Sequence, residues 1–486
     1  MYNSYRRTEK VNMIQLKDHQ QEAFDNIVSE ITLGAGSAIG RIVVPTGGGK
    51  TFIEAAVIDY QRSNNSETRI HLVLAPRILL ANQLIGEYRK FSGLDYRVIA
   101  FHSGHYEPED ETIRWKEANT TRVADVEQAY KDAVKNNQDL VVFSTYHSCE
   151  KLAGINFDTM IADESQYCVA ENFNESIKKL TARVKLFFTA TERFTASAKG
   201  KGLNNESVYG RRLYYISPAT LIQLNLIVPP RLHVMYGETR SEEASIVSEV
   251  LEMAKEQDLL TRPDLGFSKI LFAMKGTDDV KTIEDNITKI RKAMPGHDIF
   301  TITSKSGANI NGSKIRREEF ITELKNRENC LIFHYDILSE GIDVPGITGV
   351  CLMRNLGLAK LLQTIGRAVR LYKEDGVNIK RQAWISVAVL NGDEDDKERV
   401  KFFVNAIRDS GYDISAEDVV ESGEPRHSPD EEGVEDAYTN VKNNFSNLFI
   451  TEVFHEIEEE DFWDDIKGSV TVDDKLDKFL ESIDQD

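Results

Sequence analysis

Residues 45–51 read Pro45-Thr46-Gly47-Gly48-Gly49-Lys50-Thr51, and the run Arg41-Ile42-Val43-Val44 leads into them. A buried strand that turns through glycines into a helix, with a lysine and a hydroxyl at its mouth, is the sequence form of a phosphate-binding loop. Gly47, Gly48 and Gly49 let backbone N–H groups approach phosphate oxygens closely, and the helix that follows adds the positive end of its dipole. In such a loop Lys50 reaches the β- and γ-phosphates, Thr51 offers its hydroxyl to Mg2+, and Thr46 lines the cradle. Phe52, Ile53, Ala56, Val57 and Tyr60 then recur at amphipathic helical spacing. The stretch therefore predicts a nucleoside triphosphate with Mg2+.

A chain of 486 residues has room for two or three cores. It contains no apolar run long enough to span a bilayer, and its start, MYNSYRRTEK, lacks the hydrophobic segment of a signal peptide. Cys149, Cys168, Cys330 and Cys351 stand far apart without metal-ligand spacing, so a reduced, cytoplasmic protein is expected, with neither zinc nor a disulfide frame. The formal charge of -20 looks unsuited to a polyanionic partner until it is placed along the chain. Of 79 acidic and 59 basic residues, 30 and 9 lie beyond residue 390, which leaves 49 and 50 before it. The acidity belongs to the end of the chain, and the body is electrically balanced.

Upstream of the loop, residues 16–23 open a helix that continues through Phe24 and Ile27, and the amide of Gln20 within it can donate to and accept from an adenine edge together. Downstream, short β-rich runs alternate with helical ones. Residues 71–75, 98–101, 140–145, 160–162 and 186–188 read as buried strands of a parallel sheet covered on both faces. The fourth of these runs into Asp163-Glu164-Ser165-Gln166. A strand that delivers two adjacent carboxylates suits a phosphoryl-transfer site, with Asp163 for the metal and Glu164 to orient and deprotonate the attacking water. The fifth ends in Thr189-Ala190-Thr191, and Ile227-Val228-Pro229-Pro230 reads as a linker into a second domain.

Beyond the prolines the alternation restarts, with strands expected at 269–273, 299–303, 329–333, 349–352 and 384–390 and helices at 241–255, 278–294 and 315–325. This half has no phosphate loop. It carries Ser339-Glu340-Gly341-Ile342-Asp343-Val344-Pro345-Gly346 and then Gln363-Thr364-Ile365-Gly366-Arg367-Ala368-Val369-Arg370. Arginines three apart on one helix face would offer two guanidiniums to a phosphate.

Taken in order, PTGGGKT, LAPRILLANQ (74–83), DESQ, TAT, ILFAMK (270–275), SEGIDVPG and QTIGRAVR form a series that resembles the superfamily 2 helicases and translocases. The resemblance implies an α/β chain of two RecA-like domains with ATP and Mg2+ between them. It implies that Gln20 reads adenine, that Thr46, Gly47, Gly48, Gly49, Lys50 and Thr51 hold phosphate and metal, and that Asp343 joins the nucleotide contacts. Asp163 and Glu164 resemble the metal and water-activating pair. Gln166, Thr189 and Thr191 would couple nucleotide state to the domain interface. Arg367 and Arg370 look like arginine fingers with Gln363 beside them, while Arg77, Ser339 and Gly341 match positions that touch a nucleic-acid backbone. Phosphate-directed contacts of that kind are largely sequence-independent. Residues 209–230, YGRRLYYISPATLIQLNLIVPP, resemble the DNA-directed branch, which includes type I and type III restriction motors and the XPB-like and UvsW-like groups. The chain departs from that branch before SEGID, where His334-Tyr335-Asp336 replaces the usual hydroxyl setting.

The expected layout is a first RecA-like domain over 1–225, a second over 226–410, and an acidic extension over 411–486. In the extension Val434, Tyr438, Val441, Phe445 and Leu448, and again Val472, Leu476, Phe479, Leu480 and Ile483, recur at helical spacing, which suits a basic protein partner or the chain's own nucleic-acid path. The expected activity is that of a DNA helicase or translocase, a UvsW-like remodeller of branched DNA fitting best. The alternatives are an RNA helicase or sensor, and a nucleotide-gated clamp acting through a partner of the acidic segment.

Overall fold

The computed structural model describes residues 15–63, 67–92, 96–104, 116–195, 199–236, 242–303, 306–335, 344–353, 356, 358–389, 394–415 and 418–422. The chain divides into two compact units, Met1–Ile216 and Ser217–Asp486.

In the first unit eight strands make one sheet: β1 (Ala38–Val43), β2 (Ile70–Ala75), β3 (Tyr96–Phe101), β4 (Lys116–Thr120), β5 (Asp139–Thr145), β6 (Asn156–Ala162), β7 (Thr181–Thr189) and β8 (Arg211–Tyr215). Their order is β4-β3-β5-β2-β6-β7-β1-β8, and the paired strands run parallel. Every residue of β2 and β5 is buried, as a sheet covered on both faces requires. Leu72, Leu74, Val142 and Met160 are 0% exposed, and burying each such side chain stabilises the fold by about 1.5–3 kcal/mol. Besides β1, which leads into the glycine loop, the strands expected in this half are β2, β3, β5, β6 and β7. β4 and β8 are the sheet's two edges: β4 reads KEANT, with no apolar run, and β8 alternates only weakly between exposed and buried. An edge strand has one neighbour and needs less apolar pattern to hold it.

The strand order positions the chemistry. β7 lies between β1 and β6, with Val43 opposite Thr189 and Ala162 opposite Phe187. Because these strands are parallel, the loops that leave β1, β6 and β7 emerge at one edge of the sheet. PTGGGKT, DESQ and TAT are those three loops.

The second unit holds β9 (Pro230–Tyr236), β10 (Lys269–Ala273), β11 (Asp298–Thr303), β12 (Gly307–Ile310), β13 (Ser313–Ile315), β14 (Cys330–His334), β15 (Gly349–Leu352), β16 (Lys373–Glu374), β17 (Val377–Asn378), β18 (Ala383–Val389) and β19 (Val419–Ser422). Nine of them form a sheet in the order β13-β12-β11-β14-β10-β15-β18-β9-β19. It is parallel except where β12 pairs antiparallel with β11 and β13. β16 and β17 make a separate hairpin whose turn residues Asp375 and Gly376 have φ of 48° and 82°, the left-handed pair that a two-residue hairpin favours.

Three features differ from the sequence reading. Pro229-Pro230 does not keep the chain out of the sheet: Pro230 is the first residue of β9, which lies between β18 and β19. A proline is tolerated at that position because the missing N–H costs only the terminal rung of the ladder. The helix expected over 278–294 is two helices, Thr277–Asp285 and Ile287–Ala293, broken at Asn286, whose backbone N–H turns back to Ile283. Finally, the segment beyond residue 410 supplies an edge strand, β19, which pairs parallel with β9.

A candidate nucleotide site at the carboxyl edge of the first sheet

The glycine loop is built by backbone geometry. Gly47 and Gly49 take φ of 89° and 81°, which a side chain would disfavour. The N–H of Gly48 turns back to the carbonyl of Pro45 at 3.0 Å, and Val44 N–H is anchored on Thr189 O at 2.9 Å. Helix α1 (Asp18–Leu33) precedes the loop and α2 (Lys50–Ser63) follows it. Lys50 and Thr51 thus stand in the first turn of α2, where free N–H groups and the dipole favour an anion.

α1 braces this loop with two buried residues. Gln20 Nε2 donates to the carbonyls of Gly48 (3.2 Å) and Gly49 (3.4 Å), and its Oε1 accepts from Lys17 N–H at 2.9 Å. His19 Nε2 lies 2.8 Å from the same Gly48 carbonyl, and burial lowers its pKa below the ordinary histidine range. A Cβ built on Gly49 would stand 2.2 Å from Gln20 Nε2, so the glycine and the glutamine are mutually fitted. In the sequence His19 carries no motif to single it out.

The acidic pair meets the lysine directly. Lys50 Nζ lies 3.5 Å from Glu164 Oε1. Burial works against the Lys50 ammonium, but Glu164, Asp163 and Glu54 outweigh it and hold its pKa above the usual lysine value. Asp163 is buried, and burial followed by repulsion from Glu164 pushes its pKa up to about 7. Its Oδ1 accepts the Glu164 N–H at 2.8 Å, and its own carbonyl accepts from the buried Tyr146 hydroxyl at 2.7 Å. Glu164 sits at φ 50°, ψ 50° in the left-handed region, an uncommon conformation for a non-glycine residue.

From Glu164 a chain of contacts runs to the third loop. Gln166 Nε2 donates to Glu164 Oε2 at 3.0 Å, Thr189 Oγ1 donates to Gln166 Oε1 at 2.7 Å, and Thr191 N–H donates to Thr189 Oγ1 at 3.0 Å. Arg77, exposed, stands at the N-cap of helix α3 (Ile78–Phe91). Behind the site, sequence reasoning missed Glu54 and Tyr88. Glu54 is 0% exposed, its Oε2 accepts from Tyr88 on α3 at 3.2 Å, and its Oε1 has no hydrogen-bond partner among the described residues. Burial and then Asp163 raise its pKa well above the carboxylate range. A buried glutamate on α2 looks, in sequence, like any solvated helix position.

In the second unit Gln363 and Arg367 are both buried on helix Leu358–Ala368. Arg370 does not share that helix, contrary to the expected common face. Val369 N–H closes on Ile365, Val369 O then accepts from Val228 N–H, and Arg370 forms an antiparallel bridge with Ile227. Pairing with the 227–228 segment ends the helix at Ala368. Ser339, Gly341 and Asp343 lie outside the described residues.

Fold and site together place a glycine-rich loop, an acidic pair and a threonine-bearing loop at one edge of a parallel sheet. Residues 13–194 match the family model described as Type III restriction enzyme, res subunit. The putative ATP-dependent helicase IRC3 of Saccharomyces cerevisiae is 23% identical over 376 residues, covering 74% of this chain and 50% of that protein. The chain thus spans about half the length of the curated relative it matches. Among solved structures, the ATP-dependent Type ISP restriction-modification enzyme LlaBIII bound to DNA is similar at a TM-score of 0.66 and 16% identity, over 90% of this chain and 33% of that one. Mss116p bound to ssRNA and AMP-PNP is similar at 0.53 and 14% identity, over 90% of this chain and 81% of that one. The two units are accordingly α/β and RecA-like. Among the described residues no helix is long and apolar enough to cross a membrane.

Proposed function

We propose that the chain is a nucleic-acid-stimulated ATPase that moves along or remodels DNA. The observation that carries this reading is the carboxylate pair at the end of β6 facing the glycine loop, with Lys50 Nζ 3.5 Å from Glu164 and a buried Asp163 beside them.

The residues present fit ATP with Mg2+. Gly47 and Gly49 open the backbone at the N-terminus of α2, and buried carboxyls crowd against one lysine, a cluster that a cation relieves. Thr51 and Asp163 would hold the metal, which when bound supplies charge neutralisation at the phosphates. The loop N–H groups and Lys50 bind and orient the triphosphate. Glu164 Oε1 takes a proton from water as the water oxygen attacks the γ-phosphorus and the bond to the ADP oxygen breaks. Gln166 and Thr189 hold Glu164 in place. Arg367 and Arg370 are assigned to the developing charge on the γ-phosphate by the motif resemblance, and Arg77 to a nucleic-acid phosphate. DNA is favoured as the track because LlaBIII, to which 90% of this chain is similar in fold, is bound to DNA. Work in replication, recombination or repair and a cytoplasmic location are part of the same proposal.

The test is steady-state ATP turnover with duplex DNA, single-stranded DNA and RNA in parallel. Duplex DNA is expected to stimulate most, and Lys50→Ala and Glu164→Gln to lose roughly 100-fold or more of the rate. Hydrolysis near the wild-type rate in Lys50→Ala would overturn the site, and stimulation by RNA alone would replace DNA as the track.

A further inference from the structure

Two lysines of the second unit are buried against backbone carbonyls. Lys269 is 2% exposed and Lys380 is 1% exposed, and no ion pair is made by either among the described residues. Lys269 Nζ donates to the carbonyls of Leu324 (2.9 Å) and Pro345 (3.0 Å). Lys380 Nζ donates to the carbonyls of Ile347 and Ala368. Burial depresses the Lys380 amine to about 7 and lowers that of Lys269 as well. An uncompensated buried amine is costly, and an apolar side chain of the same length would avoid that cost. What the amine supplies in return is donors for particular carbonyls.

Those carbonyls are informative. Ala368 ends helix Leu358–Ala368 and follows Arg367 directly, so its C=O is one of the helix's terminal acceptors that lack an intrahelical partner. Ile347 follows Val344-Pro345-Gly346, the close of SEGIDVPG. That turn is tightly held: Gly346 has φ +76° and a Cβ there would stand 3.1 Å from the Tyr372 ring, while Lys269 grips Pro345 from β10. One amine therefore joins two segments that are separated in sequence and that the motif series assigns to different tasks.

We propose that Lys380 is a positioning residue, a latch that ties the turn after SEGIDV to the end of the arginine helix so that the placement of Arg367 follows that of the turn. The proposal rests on the reading of the chain as a nucleic-acid-stimulated ATPase. Side chains that a nucleic acid displaces near the turn would then reach Arg367 through a single pair of hydrogen bonds.

The experiment is Lys380→Met in the full chain, with kcat and KM for ATP measured at saturating duplex DNA, alongside Lys269→Met, which frees Pro345 but leaves the helix end untouched. For Lys380→Met kcat is expected to fall about tenfold with KM for ATP and the DNA requirement within about twofold, the signature of a group that acts in the transition state rather than in binding. Lys269→Met is expected to keep the larger part of kcat. A lowered melting temperature with kcat unchanged, or a raised KM with kcat unchanged, would overturn the latch. If the methionine variant does not fold, Lys380→Leu, which likewise lacks a donor, is read by the same split. Absence of DNA-stimulated turnover in the wild type would refute the functional reading instead, so the two failures are distinct.

Discussion

Gly49→Ala offers a quantitative test of how the nucleotide loop is held. At φ +81° an alanine carries roughly 1–2 kcal/mol of left-handed strain. Its Cβ would also fall 2.2 Å from Gln20 Nε2, which must then leave the Gly48 and Gly49 carbonyls. Those bonds, at 3.2 and 3.4 Å, are long, and together contribute about 1 kcal/mol. The loop is partly exposed and can relax when empty, so binding must restore its shape and the sum, about 2–3 kcal/mol, appears as roughly 30- to 150-fold weaker nucleotide affinity. In a Gln20→Ala background only the strain remains, and the same substitution should weaken affinity by roughly 5- to 30-fold. The assay is calorimetric titration with a non-hydrolysable ATP analogue on the four proteins of the cycle. Equal losses in both backgrounds would refute the argument that Gln20 holds the loop through its backbone.

Thr189→Val removes the hydroxyl from Gln166 Oε1 in a buried setting, at a cost of about 1–3 kcal/mol. Unstimulated turnover and KM for ATP should persist while the ratio of DNA-stimulated to unstimulated rate falls, and an unchanged ratio would show that the Glu164–Gln166–Thr189 relay carries no coupling. Glu54 has a folded-state pKa raised by burial, so its contribution to stability is present at low pH and lost as pH rises past the ordinary glutamate value. Glu54→Gln should therefore melt higher than wild type at pH 8, with the difference shrinking toward pH 4, and a variant less stable at pH 8 would contradict this. His233 is buried between Ser386 and Ser422 hydroxyls, and burial lowers its pKa to about 4. The unfolded chain binds the proton first, so stability of the second unit should decline as pH falls from about 6.5 to 4, by about 3 kcal/mol in all. His233→Gln should flatten that slope in thermal unfolding.

The elements that were legible in the sequence are those whose physical cause is local. PTGGGKT is readable because the glycines, the lysine and the hydroxyl act within one strand-turn-helix unit, and DESQ because its carboxylates close an apolar strand. Each inner strand of the first sheet is likewise visible as an apolar run, since it is covered on both faces. The edges β4 and β8 are not, because pairing on one side demands little pattern. β9 was hidden by Pro230, whose acceptability depends on where in a ladder it falls.

What only the tertiary structure decided is which distant groups share a space. The order β6-β7-β1 puts the carboxylates, the threonines and the glycine loop at one edge, an adjacency set by sheet topology across about 150 residues of chain. Gln20 could be placed near a nucleotide from its position, but its use as a brace for the Gly48 and Gly49 carbonyls follows from how α1 packs. Glu54, Tyr88 and Lys380 bear no motif at all. A buried charge is recognisable only once burial is known, and burial is a property of the whole packed unit rather than of the residues on either side.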